Sequence, residues 1–443
     1  MKKLFVSVSL LLVLTMLAGM IAFAESGFAY GEEVLAAFTP EWAVIQADES
    51  VISLAPGGKQ GEIGFGWLSK DENSKFRISA NADMSGSEEL DVKKTDALGD
   101  YVSNKVTATG LEEGKTYYYS YTENGVWSEP TAFAVRPDED FTVLFISDAQ
   151  IGRSGDEELE EVLVRDTCGW NYTVKKMLKA YPDAAFAISA GDQFQSADSI
   201  TQMKAYLSPG ALRSLPVANT IGNHDRGETL YGDIFNNPNE VSELFADEAG
   251  TGYFYTYGDV LFITVNSNNN FLLDTARVLK SAVRAYPDTK WRVVTMHHNP
   301  YSAAFDGDEY SEERLLFSSL YDCYDVDLVL SGHDHFYSRT QPVFAGKAAE
   351  NEGTVYVQSS SASGSNYDPL PEKLAWYTET AFDVRVPTFT AFTFTENAII
   401  GTTYRTDTDE IIDSFEVADN TSDSDANIFT VFISLLKTLM AMA

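Results

Sequence analysis

Cysteine is nearly absent from this chain of 443 residues, which contains only Cys168 and Cys323. The two residues are far apart in the sequence and neither belongs to a CxxC pair. This excludes a disulfide-rich scaffold and a zinc site built on thiolates. One bridge between them is an alternative, but we expect two unpaired, buried thiols.

Positive charge is also scarce, because 31 Lys and Arg residues face 66 Asp and Glu residues, for a formal net charge of −35. So acidic a chain argues against nucleic-acid binding and against electrostatic attachment to anionic membranes. It offers no long-range attraction to an anionic substrate either. A phosphoester would therefore have to be held by local cations such as metal ions.

The longest apolar runs lie at the two ends. Lys2 and Lys3 precede an apolar run over residues 4–21, and small residues follow at Ala22 and Ala24. This pattern predicts a secretory signal peptide over residues 1–24 and hence a secreted or cell-surface protein. A membrane anchor is the alternative, but the run is near the lower length limit for a span.

The C-terminal segment, residues 419–443, is predicted to be a polar linker followed by an apolar tail. Residues 428–442 are apolar but carry several polar interruptions, and the run is too short to predict a membrane span. We expect an amphipathic helix that packs on the body of the protein. A helix lying at a membrane surface, and thus association with the cell envelope, is the alternative.

Two patterns divide the remaining chain. After a featureless lead-in over residues 25–40, short alternating segments over residues 41–136 predict an all-β sandwich of about seven strands, the first of them at residues 43–47. A polar hinge follows, and residues 140–418 alternate apolar strands with helical segments, which predicts a layered α/β domain. Its predicted strands cover residues 141–147, 184–190, 216–220, 260–265, 291–296 and 326–330, and its predicted helices cover residues 157–181, 199–213, 273–286 and 311–325.

Histidine is the third scarce residue type, and all five histidines follow predicted strands. They lie in three motifs: Gly222-Asn223-His224-Asp225, Thr295-Met296-His297-His298 and Gly332-His333-Asp334-His335. Two more strands end at Asp148-Ala149-Gln150 and at Gly191-Asp192. Ligand sites of layered α/β domains concentrate beyond the carboxyl ends of strands. We therefore expect the five motifs to form one site.

The residue types in these motifs suit a pair of divalent or trivalent metal ions. Carboxylates supply anionic oxygen and can bridge two ions, neutral imidazoles supply nitrogen, and an asparagine carbonyl completes a shell without adding charge. An all-oxygen Ca²⁺ or Mg²⁺ site would not use so many histidines. We expect two transition-metal ions, with Fe, Mn and Zn as the candidates.

With these five motifs in this order, the chain resembles the calcineurin-like metallophosphoesterases. Residues 252–268, 328–340 and 353–357 are similar in particular to the purple acid phosphatase branch. The resemblance covers about residues 41–415. It implies an α/β/β/α metallophosphoesterase domain over residues 140–418, preceded by a fibronectin type III-like domain over residues 41–136.

The resemblance also implies a role for each site residue. Asp148 and His335 would bind the first metal, and Asp192 would bridge the two ions. The second metal would be bound by Asn223, His297 and His333. His224 and His298 would be the catalytic residues, and the substrate-binding residues would be Asn223, His224 and Arg226. A hydroxide activated by the ions would attack phosphorus in line. Arg339 is another arginine beside a motif, and for both arginines a structural salt bridge is the alternative.

Two positions depart from the family pattern. Purple acid phosphatases owe their colour to a tyrosine three residues after the bridging aspartate, where this chain has Gln195. We therefore expect no iron–tyrosinate chromophore. The superfamily has a histidine two residues after its first aspartate, where this chain has Gln150. The Gln150 amide oxygen would be a weak ligand of the first metal or would act from outside the coordination shell.

Together these features predict a secreted, acid phosphatase-like hydrolase that uses two metal ions to cleave phosphate monoesters of small molecules. A phosphodiesterase or nucleotidase of the same fold is the alternative within enzymes. A non-catalytic cell-surface binding protein on a phosphatase scaffold is the alternative outside enzymes. Metal content and turnover of phosphoesters distinguish these classes.

Overall fold

The computed structural model describes residues 30–49, 51–123, 125–156, 159–227, 230–242, 252–268, 272–304, 311–349 and 353–418. The predicted signal peptide and the predicted C-terminal linker and tail lie outside these ranges. Among the described residues, none of the helices combines the length and apolar character that crossing a membrane requires.

The described residues contain six α-helices and twenty-four strands. The helices are α1 Glu32–Ala47, α2 Glu160–Ala180, α3 Ile200–Leu207, α4 Leu230–Ile234, α5 Leu272–Ala285 and α6 Ser311–Cys323. The strands of the N-terminal part are β1 Ile52–Pro56, β2 Ile63–Ser69, β3 Phe76–Ser79, β4 Glu88–Leu90, β5 Lys93–Asp96, β6 Val102–Ala108, β7 Thr116–Glu123, β8 Val126–Trp127 and β9 Thr131–Ala134. The later strands are β10 Phe141–Ile146, β11 Phe186–Ser189, β12 Val217–Asn219, β13 Tyr253–Tyr257, β14 Val260–Thr264, β15 Trp291–His298, β16 Leu328–Gly332, β17 Tyr337–Thr340, β18 Val343–Phe344, β19 Lys347–Ala348, β20 Val355–Gln358, β21 Thr378–Phe382, β22 Thr388–Phe394, β23 Ile399–Arg405 and β24 Ile411–Val417.

Strands β1 to β9 form the predicted all-β region. One sheet has the order β1-β2-β6-β5, and the other has the order β4-β3-β7-β8 with β9 paired to β7. Aromatic side chains from both sheets, including Phe65, Trp67 and Tyr119, share one buried core. The region is fixed to the α/β domain, because the Ser53 and Ser103 hydroxyls donate to carbonyls of the α4 segment at 2.6 Å.

The start of this region differs from the prediction. Residues 43–47, predicted as a strand, belong to helix α1, which begins at Glu32 inside the segment predicted to be featureless. Phe38 and Trp42 are four residues apart, so they lie on one face of the helix, and both are buried in a core shared with α2 and α3. A short apolar run does not distinguish a strand from a buried helix by its periodicity alone.

Two facing sheets form the α/β domain. The six-stranded sheet has the order β12-β11-β10-β22-β23-β24, and the seven-stranded sheet has the order β13-β14-β15-β16-β20-β17-β21. Val143 and Phe145 of β10 point to the core between the sheets, whereas Leu144 and Ile146 point to the core under α2 and α3. A third core lies between the seven-stranded sheet and the helices α5 and α6. The predicted α/β/β/α layering is confirmed.

The direction of the central strands decides where their ends meet. Strands β10, β11 and β12 run parallel in one sheet, and strands β14, β15, β16 and β20 run parallel in the other. Their carboxyl ends therefore meet at a common edge of each sheet, and the predicted motifs follow these ends.

The two cysteines are both free, as predicted. Cys168 is buried on α2, but Cys323 at the end of α6 is exposed, so the prediction of two buried thiols is wrong for Cys323. Cys323 is the last residue of α6.

Candidate metal centre

Two carboxylate–imidazole pairs form the centre of the site. Asp192 Oδ2 lies 3.3 Å from His297 Nε2, and Asp148 Oδ1 lies 3.4 Å from His335 Nε2. All four side chains are buried. Suitable ligand atoms of Asp148, Asp192 and His297 lie within 4.8 Å of one another. The structure thus brings together residues from four separate strand ends.

Backbone carbonyls orient both imidazoles. His297 Nδ1 lies 2.9 Å from the Ala190 carbonyl, and His335 Nδ1 lies 3.1 Å from the Asn366 carbonyl. A proton held on Nδ1 by a carbonyl leaves Nε2 to face the carboxylates. Metal-binding histidines are oriented in this way, because the outer hydrogen bond fixes the tautomer and the ring.

The charges at the two pairs stabilise one another. Burial opposes ionisation of Asp192, but the neighbouring His297 outweighs it and holds the pKa of Asp192 below its usual range. Burial likewise opposes a charge on His297, yet Asp192 and Asp148 raise the pKa of His297 to about 10. In the other pair, burial again opposes both charges, but His335 lowers the pKa of Asp148 and Asp148 raises the pKa of His335. The pocket therefore stabilises positive charge between its carboxylates, which is the place a cation would take.

A second group of ligand atoms belongs to three histidines. Ring nitrogens of His297, His298 and His333 lie within 4.8 Å of one another. Strand β15 shows a register shift between Thr295 and His298 in its pairing with β16. Successive side chains of a regular strand point to opposite faces, so this bulge explains how both His297 and His298 reach one site.

The outer two of these histidines are held neutral. Burial and the positive charge of His297 lower the pKa of His298 to about 2 and also lower the pKa of His333. Neutral imidazole is the form that binds metals. The Ser267 hydroxyl lies 2.9 Å from His298 Nδ1 and accepts a hydrogen bond from the His298 amide at 3.0 Å, which fixes the ring.

The loop after β12 contributes the predicted substrate side of the site. Asn223 Oδ1 lies 3.1 Å from His297 Nε2, and the His224 amide donates to Asp192 Oδ1 at 2.9 Å. His224 Nδ1 lies 3.1 Å from the Gln195 carbonyl. Arg226 is exposed, and its charge is among those that lower the pKa of His298, so it lies near the site. Arg339 instead forms two hydrogen bonds to Asp413 at 2.7 and 3.2 Å, in agreement with the structural alternative.

Two buried oxygens are left with unused acceptor capacity. Gln150 Oε1 has no hydrogen-bond partner among the described residues, and Asp148 Oδ1 has only the ion pair with His335 Nε2 at 3.4 Å. An unsatisfied buried oxygen is costly, and a coordinated ion would satisfy both oxygens. The donors present, which are carboxylates, imidazoles and amide oxygens, fit transition-metal ions at both positions.

Strained backbone accompanies the predicted ligands. Asp148, Gln150, Asp192, His333 and His335 all have a positive φ, between 34° and 80°. Such conformations are uncommon for residues other than glycine, and they cluster at functional sites where the surroundings hold them in place. The strain therefore coincides with five of the residues that the sequence singled out.

Glycines leave room for these side chains. A Cβ at Gly222 would overlap Asp192 Oδ1, and a Cβ at Gly332 would overlap Ser147 Oγ and Asp148 Oδ2. The glycines of the motifs therefore allow close packing around the carboxylates.

Several supporting residues were not found from the sequence. Asp225 is buried and accepts hydrogen bonds from the Gly222 and Gln193 amides at 2.8 and 2.9 Å, which joins the loops that carry Asp192 and His224. Ser361 donates to the Asp148 carbonyl at 2.9 Å. The Asn266-Ser267-Asn268 run after β14 was a visible signal for Ser267. The Asn366 carbonyl had none, because any residue type supplies one.

The fold and the site together define a metallophosphoesterase-like domain, and comparison with known proteins agrees. Residues 141–337 match the family model of the calcineurin-like phosphoesterases, in agreement with the resemblance inferred from the motifs. No curated protein matches the sequence.

Solved structures support the fold. A purple acid phosphatase, PPD1, from yellow lupin (Lupinus luteus) seeds is similar with a TM-score of 0.66 and 18% identity, over 85% of this chain and 75% of that chain. The structure of PhoD is similar with a TM-score of 0.54 and 12% identity, over 89% of this chain and 98% of that chain. At these identities the likeness establishes the architecture, including a β-rich region before the phosphoesterase domain.

Proposed function

We propose that the protein is a secreted phosphoesterase that uses two transition-metal ions to hydrolyse phosphate monoesters of small molecules. The observation that carries the proposal is the convergence of the Asp148–His335 and Asp192–His297 pairs with His333. Asp148, Gln150 and His335 would hold one ion, and Asn223, His297 and His333 would hold the other, with Asp192 between them. The ions would supply Lewis acidity towards the phosphate and would lower the pKa of water.

The protein's own groups complete the chemistry. The hydrogen bond between His224 Nδ1 and the Gln195 carbonyl fixes the ring, so Nε2 is the nitrogen that would hand a proton to the leaving oxygen. His298, fixed by Ser267, would hydrogen-bond the phosphate. Arg226 would add a positive charge at the mouth of the site, where the acidic chain otherwise repels phosphate.

Preference for monoesters is part of the proposal and can be tested directly. We expect the metal-loaded protein to hydrolyse p-nitrophenyl phosphate at least about tenfold faster than bis(p-nitrophenyl) phosphate. The His224→Ala variant should lose most of its rate towards phenyl phosphate and less towards p-nitrophenyl phosphate, because the more acidic p-nitrophenol leaving group needs less help from a proton donor. Faster cleavage of the diester would favour a phosphodiesterase. Turnover of neither ester by a protein that holds two metals would favour the non-catalytic alternative.

Secretion and attachment belong to the proposal as well. The pattern of residues 1–24 supports export, and the apolar residues 428–442 support a packed helix or contact with a membrane surface. The net charge of −35 supports the absence of a nucleic-acid partner.

A further inference from the structure

A buried carboxylate outside the metal centre holds the turn that follows the first metal-site motif. Asp166 lies on α2 and is 1% exposed. Its Oδ2 accepts hydrogen bonds from the Gly152 amide at 2.9 Å and from the Ser154 amide at 3.2 Å. One oxygen of a helix side chain thus fixes two backbone groups of the segment that begins at Gln150.

The neighbouring residue Arg165 also binds this turn, at Ser154. Its guanidinium donates to the Ser154 carbonyl at 2.7 Å, and its Nε donates to the Ser154 hydroxyl at 3.0 Å. Asp166 and Arg165 together therefore satisfy the amide, the carbonyl and the hydroxyl of Ser154. A surface loop that is held by two adjacent helix residues has little freedom to move.

The turn has an unfavourable backbone conformation, which the hydrogen bonds from Asp166 and Arg165 help to hold. Gln150 has a φ of 34° and Gly152 a φ of 105°, both in the region that side chains disfavour. The Gln150 carbonyl accepts from the Arg153 amide at 3.1 Å, which closes the turn. A Cβ at Gly152 would lie 2.8 Å from Gln202 Nε2 on α3, so α3 confines the turn as well.

The opposite side of Gln150 is tied to the metal centre. The Gln150 amide donates to the Asp192 carbonyl at 2.8 Å, and the side chain is 1% exposed with an unpartnered Oε1 among the described residues. The position of this amide oxygen therefore depends on one anchor at Asp192 and on another at Asp166.

We infer that Asp166, assisted by Arg165, is a positioning residue that aims the Gln150 amide at the first metal position and thereby sets the metal affinity there. The inference rests on the proposed function, since it takes Gln150 as a ligand. Burial raises the pKa of Asp166 to about 6, so an ionised carboxylate is unfavourable at this place. A buried carboxylate that is costly to the fold is consistent with a role in the site.

The test measures metal binding by the full chain rather than activity. Metal-free wild type, Asp166→Ala and Asp166→Asn are titrated with Mn²⁺ by calorimetry at neutral pH. Asparagine keeps one oxygen that can accept from both amides, whereas alanine removes it. Loss of a residue that orients a ligand weakens metal binding by about 10- to 100-fold. We expect such a loss at one of two positions in Asp166→Ala and a change of less than about threefold in Asp166→Asn.

Asp327 provides a matched control. It is also buried, and its Oδ2 accepts from the Arg292 amide at 2.8 Å, but it precedes β16 at the strand end opposite to the metal centre. Asp327→Ala, like Asp166→Ala, should lower the melting temperature, but it should leave both Mn²⁺ affinities unchanged.

The outcomes separate this inference from the proposed function. Wild-type affinities in Asp166→Ala, an equal loss in Asp166→Asn, or an equal loss in Asp327→Ala would each overturn the inference while two ions still bind the wild type. A wild-type chain that binds no Mn²⁺, Fe²⁺ or Zn²⁺ would instead overturn the proposed function.

Discussion

The buried carboxylate of Asp166 makes a quantitative prediction about stability. Burial raises its pKa to about 6 in the folded protein, against about 3.9 for an unperturbed aspartate, and about two pKa units correspond to about 3 kcal/mol. The folded state therefore binds this proton more tightly than the unfolded state does. It follows that wild type loses stability as pH rises from about 4 to about 6, and that the loss is complete above pH 7.

Asp166→Asn removes the charge and keeps an acceptor for the Gly152 and Ser154 amides. We expect its free energy of unfolding to exceed that of wild type by less than about 1 kcal/mol at pH 4 and by about 3 kcal/mol at pH 8. Urea unfolding of both proteins in the presence of chelator, at several pH values, measures this difference. Asp288→Asn, at an exposed position, is the control and should show no such trend.

A difference between Asp166→Asn and wild type that stays constant from pH 4 to pH 8 would refute this reasoning. It would mean that hydrogen bonds from the turn and the charge of Arg165 already compensate for burial of the carboxylate. A difference that falls with pH would show that the ionised form is favoured by the fold.

Three further predictions concern the site. Gly222→Ala should lower metal affinity and activity by at least about tenfold, because its Cβ would overlap Asp192 Oδ1. Gly210→Ala is the control and should resemble wild type, because a Cβ there meets nothing within 4 Å. Equal behaviour of the two variants would contradict the close packing around Asp192. The iron-loaded protein should show no tyrosinate charge-transfer band in its visible spectrum, because Gln195 occupies the chromophore position; a strong band would mean that the ligand set is misassigned. Arg339→Met should lower the free energy of unfolding by about 1–3 kcal/mol and leave KM unchanged, because Arg339 binds Asp413 rather than substrate. A raised KM with normal stability would instead show that Arg339 holds the phosphate.

The central strands of the α/β domain were predictable from the sequence because they are buried on both faces. Runs such as residues 141–147 and 326–330 are apolar throughout because layers cover both sides of the central sheets, and this gave the strands and the layering. Helix α1 was missed because its buried residues, Phe38 and Trp42, are too few to establish a period over the Ala-rich stretch around them.

The candidate site was predictable to the extent that side-chain type carries the chemistry. Histidines and aspartates at strand ends predicted the metal centre, and the structure places these residues together. The bulge in β15 that lets His297 and His298 share one face has no sequence signal, because both neighbours of a bulge are ordinary residues. Asn366 acts through its carbonyl and Asp166 through tertiary contacts with a distant turn, so neither role is visible in a local pattern.

The central claim is that Asp148, Asp192 and the strand-end histidines hold two metal ions that hydrolyse phosphoesters. The most direct measurement is the metal content of purified full-length protein, followed by hydrolysis of p-nitrophenyl phosphate, for wild type, Asp192→Asn and the exposed control Asp288→Asn. We predict two equivalents of Fe, Mn or Zn and turnover in wild type and in the control, with both lost in Asp192→Asn. A wild-type protein with less than one equivalent after loading and with no turnover, or an Asp192→Asn variant that keeps both, would contradict the account.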